Sequence, residues 1–268
     1  MNISKLYISP LLIAAAIVVL LQAACCNGKP PEPVPPAGEI AFSFQHVVDD
    51  KPVMFDSMTY ENAAGNPYMV NEIQYFLSDF TLWRGGKGLV LDKWEDIHYI
   101  DTDLPNTMLY NPADEIEEGT YDSITFVFGI TEEKNRSFMF VNPPESYMFW
   151  PEHLGGGYHY MKLNGKWRDT NDVVQPFNFH LGIGQTYDDQ GNITGFVQNY
   201  FTVHLRASSF KIVNGLTTKA VITMHVDEWF KDPNTFDFNY WGGHIMENQQ
   251  AMRAAIENGH NVFSIKFE

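Results

Sequence analysis

The chain has 268 residues, a formal net charge of −16 and a pI near 4.8, and it is long enough for one sizeable domain. This acidity argues against binding to nucleic acid or to anionic lipid headgroups, because both partners require a basic surface. The two cysteines, Cys25 and Cys26, are adjacent and lie near the N-terminus. The rest of the chain therefore has neither a disulfide framework nor a thiolate metal site.

The N-terminus has the layout of a bacterial lipoprotein signal. The apolar run Leu11–Leu21 is short for a membrane span, and two alanines precede Cys25. We therefore predict a signal peptide at 1–24 and lipidation at Cys25. Cys26 is the alternative lipidation position, and an uncleaved anchor helix is the alternative structure. The proline-rich segment within residues 25–38 predicts an extended tether. Together these features predict an exported protein, anchored by N-terminal lipid on the periplasmic or cell-surface side of a membrane.

Residues 39–268 form one predicted domain, because no second linker or charge run divides them. Apolar and polar residues alternate with a period of two through much of this part, which predicts strands. In the long predicted strand at 73–83, this alternation puts Phe76, Phe80 and Leu82 on one face. The predicted strands are at 40–48, 73–83, 121–129, 158–163, 177–181, 199–205, 220–226 and 262–267. Turn-rich joins between them favour an all-β fold, an antiparallel β-sandwich with short helical insertions.

One helix is predicted near the C-terminus, at His244–Asn258. Its apolar positions are spaced for a single buried face, and Gly259 follows where a helix commonly ends. The fold prediction therefore includes one C-terminal helix.

The histidines are the available metal ligands, since the domain has no thiol. Imidazole suits copper or zinc. His46 alternates in phase with Phe42 and Phe44 and is predicted to point into the core, whereas His180 lies on the face opposite Phe177. Their spacing does not by itself establish a site, because single strand histidines are commonly surface residues or hydrogen-bonded core residues.

The segment 146–167 (SYMFWPEHLGGGYHYMKLNGKW) concentrates aromatic rings, glycines and two histidines. Three interpretations are open: a sugar-stacking platform, a metal site, or the packed corner of a sandwich. A platform of exposed aromatics would make the protein a surface-interaction or glycan-binding lipoprotein. The packed corner is the commoner structure for such residues.

Signals of catalysis are weak in this sequence. There is no GxSxG motif, no cysteine in the domain to act as a nucleophile, and no pair of carboxylates placed for acid–base work. Asp188 and Asp189 lie in a predicted hairpin turn, which accounts for them without catalysis. We therefore expect a protein that is not an enzyme.

Several segments together resemble one protein family. They are FSFQHVVDDKPV, VNEIQYFLSDFTL, EGTYDSITFVFGI, MFWPEHLGGGYHYMKLNGKW, FNFHLG, VITMHVDEWF and the C-terminal HIMENQQAMRAAIENGHNVFSIKFE. In this order they resemble the MbnP-like domain family, named for a copper-binding protein associated with methanobactin. The resemblance covers essentially the whole predicted domain.

The resemblance implies a membrane-anchored, exported lipoprotein that binds copper for capture or delivery. It implies copper ligands at His46, His180 and His244. It also implies an oxidised tryptophan made by a partner haem enzyme, at Trp241, three residues before His244, or alternatively at Trp150, with His153 close behind it in the sequence.

Overall fold

The computed structural model describes residues 35–93, 96–205 and 209–268, which form one compact unit from Pro36 to Glu268. The predicted signal peptide at 1–24, the lipidation site Cys25 and most of the predicted tether lie outside the described residues. Within those ranges, neither α-helix combines the length and the hydropathy that a membrane span requires.

Strands make up most of the regular structure, as predicted. In chain order they are β1 (Ala37–Val48), β2 (Lys51–Pro52), β3 (Tyr60–Glu61), β4 (Pro67–Arg84), β5 (Lys87–Val90), β6 (Ile97–Asp101), β7 (Leu109–Tyr110), β8 (Ile116–Glu117), β9 (Gly119–Tyr121), β10 (Ser123–Phe128), β11 (Met161–Arg168), β12 (Val174–Leu181), β13 (Gly184–Tyr187), β14 (Ile193–Val197), β15 (Phe201–Leu205), β16 (Phe210–Ile212), β17 (Thr217–His225) and β18 (Phe263–Phe267).

Two sheets pack face to face. The first has the order β18-β17-β1-β2, with β7 and β8 also pairing with β1. The second has the order β12-β11-β4-β10-β15, with β3, β5 and β6 also pairing with β4. Short two-stranded pairs, β13-β14 and β9-β16, complete the strands of the described ranges. The prediction of an all-β sandwich is confirmed. One strand pair departs from the antiparallel pattern, because β1 runs parallel to β17.

Aromatic rings fill the space between the sheets. Phe42 of β1 lies 5.1 Å from Phe80 of β4, measured between ring centroids, and Phe80 lies 5.2 Å from Phe126. All three side chains are almost fully buried. Burying a side chain of this size contributes roughly 1.5–3 kcal/mol, so the rings supply much of the force that holds the two sheets together.

The prediction that Phe76 lies on the same face of β4 as Phe80 is wrong, because a bulge separates them. The pairing of β10 with β4 shifts register around Asp79, whose φ is 55°. Before the bulge, Tyr75 points to the core, and Phe76 packs on the outer side against Phe140, with ring centroids 5.4 Å apart. After it, Phe80 points to the core. Phe76 and Phe80 therefore lie on opposite faces, because an extra residue reverses the alternation.

Two α-helices, α1 (Phe238–Trp241) and α2 (Gln249–Asn258), lie near the C-terminus. The predicted start at His244 is wrong, because the side chain of Asn248 caps α2 by accepting from the backbone N–H of Ala251 (3.0 Å). His244 instead forms an isolated parallel β-bridge with Asn178. The predicted end at Asn258 is confirmed. Short 3-10 helices lie at Pro105–Met108, Glu145–Met148, Glu152–Leu154, Val226–Phe230 and Gly259–Asn261.

The segment 146–167 is a packed corner. Four of its aromatic side chains are at most 7% exposed, which excludes them as a sugar platform; they are Trp150, Tyr158, Tyr160 and Trp167. Gly157 has φ 76°, and a Cβ there would meet the side chain of Asn135. The Asn135 amide oxygen accepts from the backbone N–H of Tyr158 (2.8 Å), so the close approach at Gly157 fixes the corner.

Candidate metal centre

The second sheet carries polar side chains on its outer face. Residues paired across antiparallel strands share a face, and Lys162 of β11 pairs with Gln74 of β4 and with His180 of β12. Their chain neighbours Tyr75 and Met161 are paired with each other and point to the core. His180 therefore lies on the outer face, as the sequence predicted.

The hydrogen bonds of His180 determine which ring nitrogen carries the proton. Its Nε2 lies 2.8 Å from Oδ1 of Asn164, and Nδ2 of the same Asn164 donates to Oε2 of Glu72 (2.9 Å). The carboxylate thus orients the amide, and the amide oxygen can only accept, so His180 is protonated at Nε2. Its Nδ1 is buried and has no hydrogen-bond partner among the described residues.

His159 presents a second free nitrogen. Its Nδ1 donates to the backbone carbonyl of Met148 (2.9 Å), which leaves Nε2 without a proton. Nε2 is buried and has no hydrogen-bond partner in the described ranges. The strand predicted at 158–163 includes His159, but β11 begins only at Met161, and His159 precedes it in irregular backbone.

The two rings lie side by side. The ring centroids of His159 and His180 are 5.0 Å apart, and the rings are nearly perpendicular, at 84°. We call these two residues the histidine pair. A buried polar atom without a hydrogen-bond partner destabilises the fold by about 1–3 kcal/mol. Two such atoms on adjacent rings are therefore not explained by packing alone.

Both members of the histidine pair are neutral at pH 7. Burial lowers the pKa of His180 to about 3, with further lowering from the electrostatic influence of Lys162 and of the neighbouring His244. Burial also lowers the pKa of His159 well below its usual value, reinforced by His180 and Lys162. Neutral imidazoles with free lone pairs are the form that binds metal.

His244 lies beside the histidine pair on the same outer face. Its Nδ1 accepts from Nδ2 of Asn178 (3.2 Å), and Asn178 is two residues before His180 on β12. His244 is exposed, in contrast to the pair. The structure therefore brings His180 and His244 into one neighbourhood.

His46 lies elsewhere. It points into the core from β1, as predicted, and its Nε2 forms a hydrogen bond with the Tyr75 hydroxyl (3.1 Å). It is 7% exposed, and burial lowers its pKa to about 4. Because Tyr75 and His180 face opposite sides of the second sheet, the structure does not bring His46 to the other two predicted ligands.

The two tryptophans predicted as oxidation sites differ in their surroundings. Trp150 is fully buried, and its ring centroid lies 4.6 Å from that of His159. Trp241 is half-buried and contacts the rings of Phe236 and Tyr240. Trp150 is thus the one of the two that adjoins the histidine pair.

A carboxylate cluster on the same sheet was not predicted. Among the described residues, Glu72, Asp101 and Asp103 are the three acidic or imidazole side chains whose ligand atoms all lie within 4.8 Å of one another. By that measure His159, His180 and His244 do not form a closed three-ligand set, so His244 would have to rotate to join the pair. Asp101 already accepts from Tyr99 (2.8 Å), as part of the hydrogen-bond network that includes Glu72.

Among curated proteins no significant match was found. The chain is similar to the solved structure of MbnP from Methylosinus trichosporium, with 15% sequence identity, coverage of 85% of this chain and 98% of that one, and a TM-score of 0.47. The family model described as MbnP matches residues 37–248, nearly the whole of the sandwich. The chain therefore belongs to the MbnP family.

Proposed function

We propose that this protein binds copper for capture or delivery, is exported and membrane-anchored, and is not an enzyme. The observation that carries the proposal is the histidine pair: the rings of His159, which is buried, and His180, which is half-buried, are adjacent and neutral, and each has a buried nitrogen without a partner among the described residues. A metal ion bound to Nε2 of His159 and Nδ1 of His180 satisfies both atoms at once. His244 is a candidate third imidazole for such a site, because it contacts Asn178, two residues before His180.

The donor atoms favour copper. The described part of the domain offers nitrogen ligands without thiolates, and at a given nitrogen site copper(II) binds more tightly than zinc. Each member of the pair also has its other nitrogen hydrogen-bonded, His159 to a backbone carbonyl and His180 to an amide held by Glu72. This arrangement is typical of metal-binding histidines, whose second nitrogen is held by an outer partner.

Copper competition titration of the purified protein tests the proposal. His159→Gln and His180→Gln should each weaken binding by at least tenfold, since each removes one of the two paired ligands. His204→Gln is the matched control, because His204 is an exposed strand histidine on β15 and is not among the proposed ligands. Equal copper affinity in all four proteins would contradict the proposal.

Oxidation of a tryptophan by a partner haem enzyme is part of the same proposal. The contact between Trp150 and His159 supports Trp150 over Trp241. Because Trp150 is fully buried, direct contact with another protein requires the segment that covers it to open. Peptide mass spectrometry of protein from its native host tests this: kynurenine is expected at position 150, and unmodified Trp150 and Trp241 in copper-loaded protein would refute it.

Lipid anchoring rests on the N-terminal sequence. Cys25→Ser should release the protein from the membrane fraction, while Cys26→Ser should leave it bound. If only Cys26→Ser releases the protein from the membrane fraction, the lipid is attached to Cys26. Unchanged membrane association of both variants, with residues 1–24 still attached by mass, would favour an uncleaved anchor helix.

The alternative function is surface interaction through exposed aromatics. Phe138 and Tyr147 are 70% and 71% exposed, and Phe138 stacks on Phe149 with ring centroids 5.2 Å apart. The candidate sugar-binding surface is therefore formed by these exposed rings and not by the buried aromatics of the corner. Glycan binding that is lost in Phe138→Ser, together with absent copper binding, would favour this alternative.

A further inference from the structure

A groove opens beside the histidine pair. It lies between the 3-10 helix Glu152–Leu154 and residues 244–247, and its volume is about 330 Å³. We call it the outer groove. Its lining residues are Pro151, His153, Leu154, Asn178, His244, Met246 and Glu247.

Both walls of the outer groove are anchored. The carbonyl of Leu154 accepts from Nε1 of Trp150 (3.1 Å) and from Nε2 of Gln185 (2.9 Å). On the other wall, the backbone N–H of Asn178 donates to the carbonyl of Gly243 (2.6 Å), and Ile245 is 1% exposed. The side chains that line the groove therefore project from fixed backbone.

The donors in the outer groove are soft or borderline. His153 is exposed, and its ring makes no hydrogen bond to the described residues; His244 and the thioether of Met246 lie along the same cavity. Thioether and imidazole together suit copper(I), which accepts low coordination numbers and soft ligands. The carboxylate of Glu247 adds a negative charge that favours any cation.

The outer groove is connected to the histidine pair through neighbouring side chains. His244 faces the groove and also contacts Asn178, two residues from His180. On the opposite wall, Leu154 holds Trp150, whose ring contacts His159. The groove is thus linked to each member of the pair through one intervening residue, Asn178 on the side of His180 and Trp150 on the side of His159.

We propose that the outer groove is a second copper site, in which His153, Met246 and His244 take copper(I) from solution next to the buried pair. The inference rests on the proposed copper function and extends it with two further ligands, His153 and Met246, and it assigns His244 to the groove and not to the histidine pair. No electron or proton needs to be supplied for this step, because the ion keeps its oxidation state and only its ligands change.

Anaerobic copper(I) titration against a chromophoric competitor tests the outer groove. The wild-type protein should bind two equivalents of copper(I). His153→Gln and Met246→Leu should each reduce this to one equivalent without changing the affinity of the other. His180→Gln should remove the equivalent held by the histidine pair and leave the groove site. The matched controls are His204→Gln and Met54→Leu, since Met54 is 59% exposed.

The outcomes separate the two proposals. One equivalent in the wild type, unaffected by His153→Gln and Met246→Leu, would overturn the outer site and leave the buried pair in place. One equivalent whose affinity falls in those two variants and in His180→Gln would mean a single merged site, which also overturns it. If His180→Gln binds copper as the wild type does, the proposed function itself fails.

Discussion

Replacing His46 with Gln should make the protein less sensitive to acid. His46 is buried between the sheets, and its pKa falls from 6.5 to about 4 because burial disfavours the charged ring. The unfolded chain therefore binds a proton that the folded protein does not, at every pH between those two values. Folding stability from this group is complete above pH 6.5 and is lost as the pH falls towards about 4.

The magnitude follows from the two pKa values. Proton linkage gives a loss of about 2 kcal/mol in the free energy of unfolding between pH 7 and pH 5 for His46 alone. Its hydrogen-bond partner Tyr75 adds nothing to this change, because burial raises the pKa of the phenol and keeps it neutral. At pH 7 the variant should be less stable by roughly 1–2 kcal/mol, since the bond to Tyr75 is weakened.

Urea unfolding at a series of pH values, in the presence of a chelator, measures the effect. The wild-type curve of stability against pH should be steeper between pH 7 and pH 5 than that of His46→Gln, by about 2 kcal/mol over the interval. His204→Gln should follow the wild type, because His204 is exposed. Parallel curves for His46→Gln and wild type would refute the reasoning that His46 is buried and neutral.

Three further changes test the sheet and its outer face. Asn164→Leu should weaken copper binding by about 10–100-fold in a competition titration, because it frees the ring of His180 from the tautomer that exposes Nδ1; unchanged affinity in folded protein would contradict this role. Lys162→Met should instead strengthen copper binding in the same assay, since the lysine charge that lowers the pKa of His180 also opposes a metal cation. Gly165→Ala should destabilise the fold by about 1–3 kcal/mol in urea unfolding, because the new Cβ would meet the Met69 carbonyl oxygen; a stable variant would mean that β4 moves easily.

The longer core strands could be predicted from the sequence because each has one face in a continuous aromatic core, whereas short exposed strands such as β2 and β5 carry no such alternation and were not predicted. Prediction failed where a local interaction interrupts the period. At Asp79 a bulge reverses which residues of β4 face the core, and a bulge cannot be predicted from residue type alone. At the C-terminus, the apolar spacing extended the helix back to His244. In the structure, the side-chain cap at Asn248 starts the helix later, and the β-bridge of His244 to Asn178 holds His244 outside it.

The candidate site depended on information of two kinds. The position of His180 on the outer face follows from alternation along β12, and this part was predictable. His159 follows a run of glycines in irregular backbone, where no period applies, and its partner Met148 lies eleven residues away. His159 could therefore be assigned to the site only from the folded structure of the corner.

The same alternation explains why His46 and His180 are separate. A strand places successive side chains on opposite faces, and a sandwich has one face of each sheet inside and one outside. His46 reaches the inside, where a tyrosine hydroxyl satisfies it, whereas His180 is on the outside of the second sheet beside a loop histidine. A metal centre on this fold needs ligands from one side of one sheet plus the loops that cover it. Copper affinity that survives His46→Gln and is lost in His159→Gln would be the signature of that arrangement, and the reverse result would place the ion between the sheets.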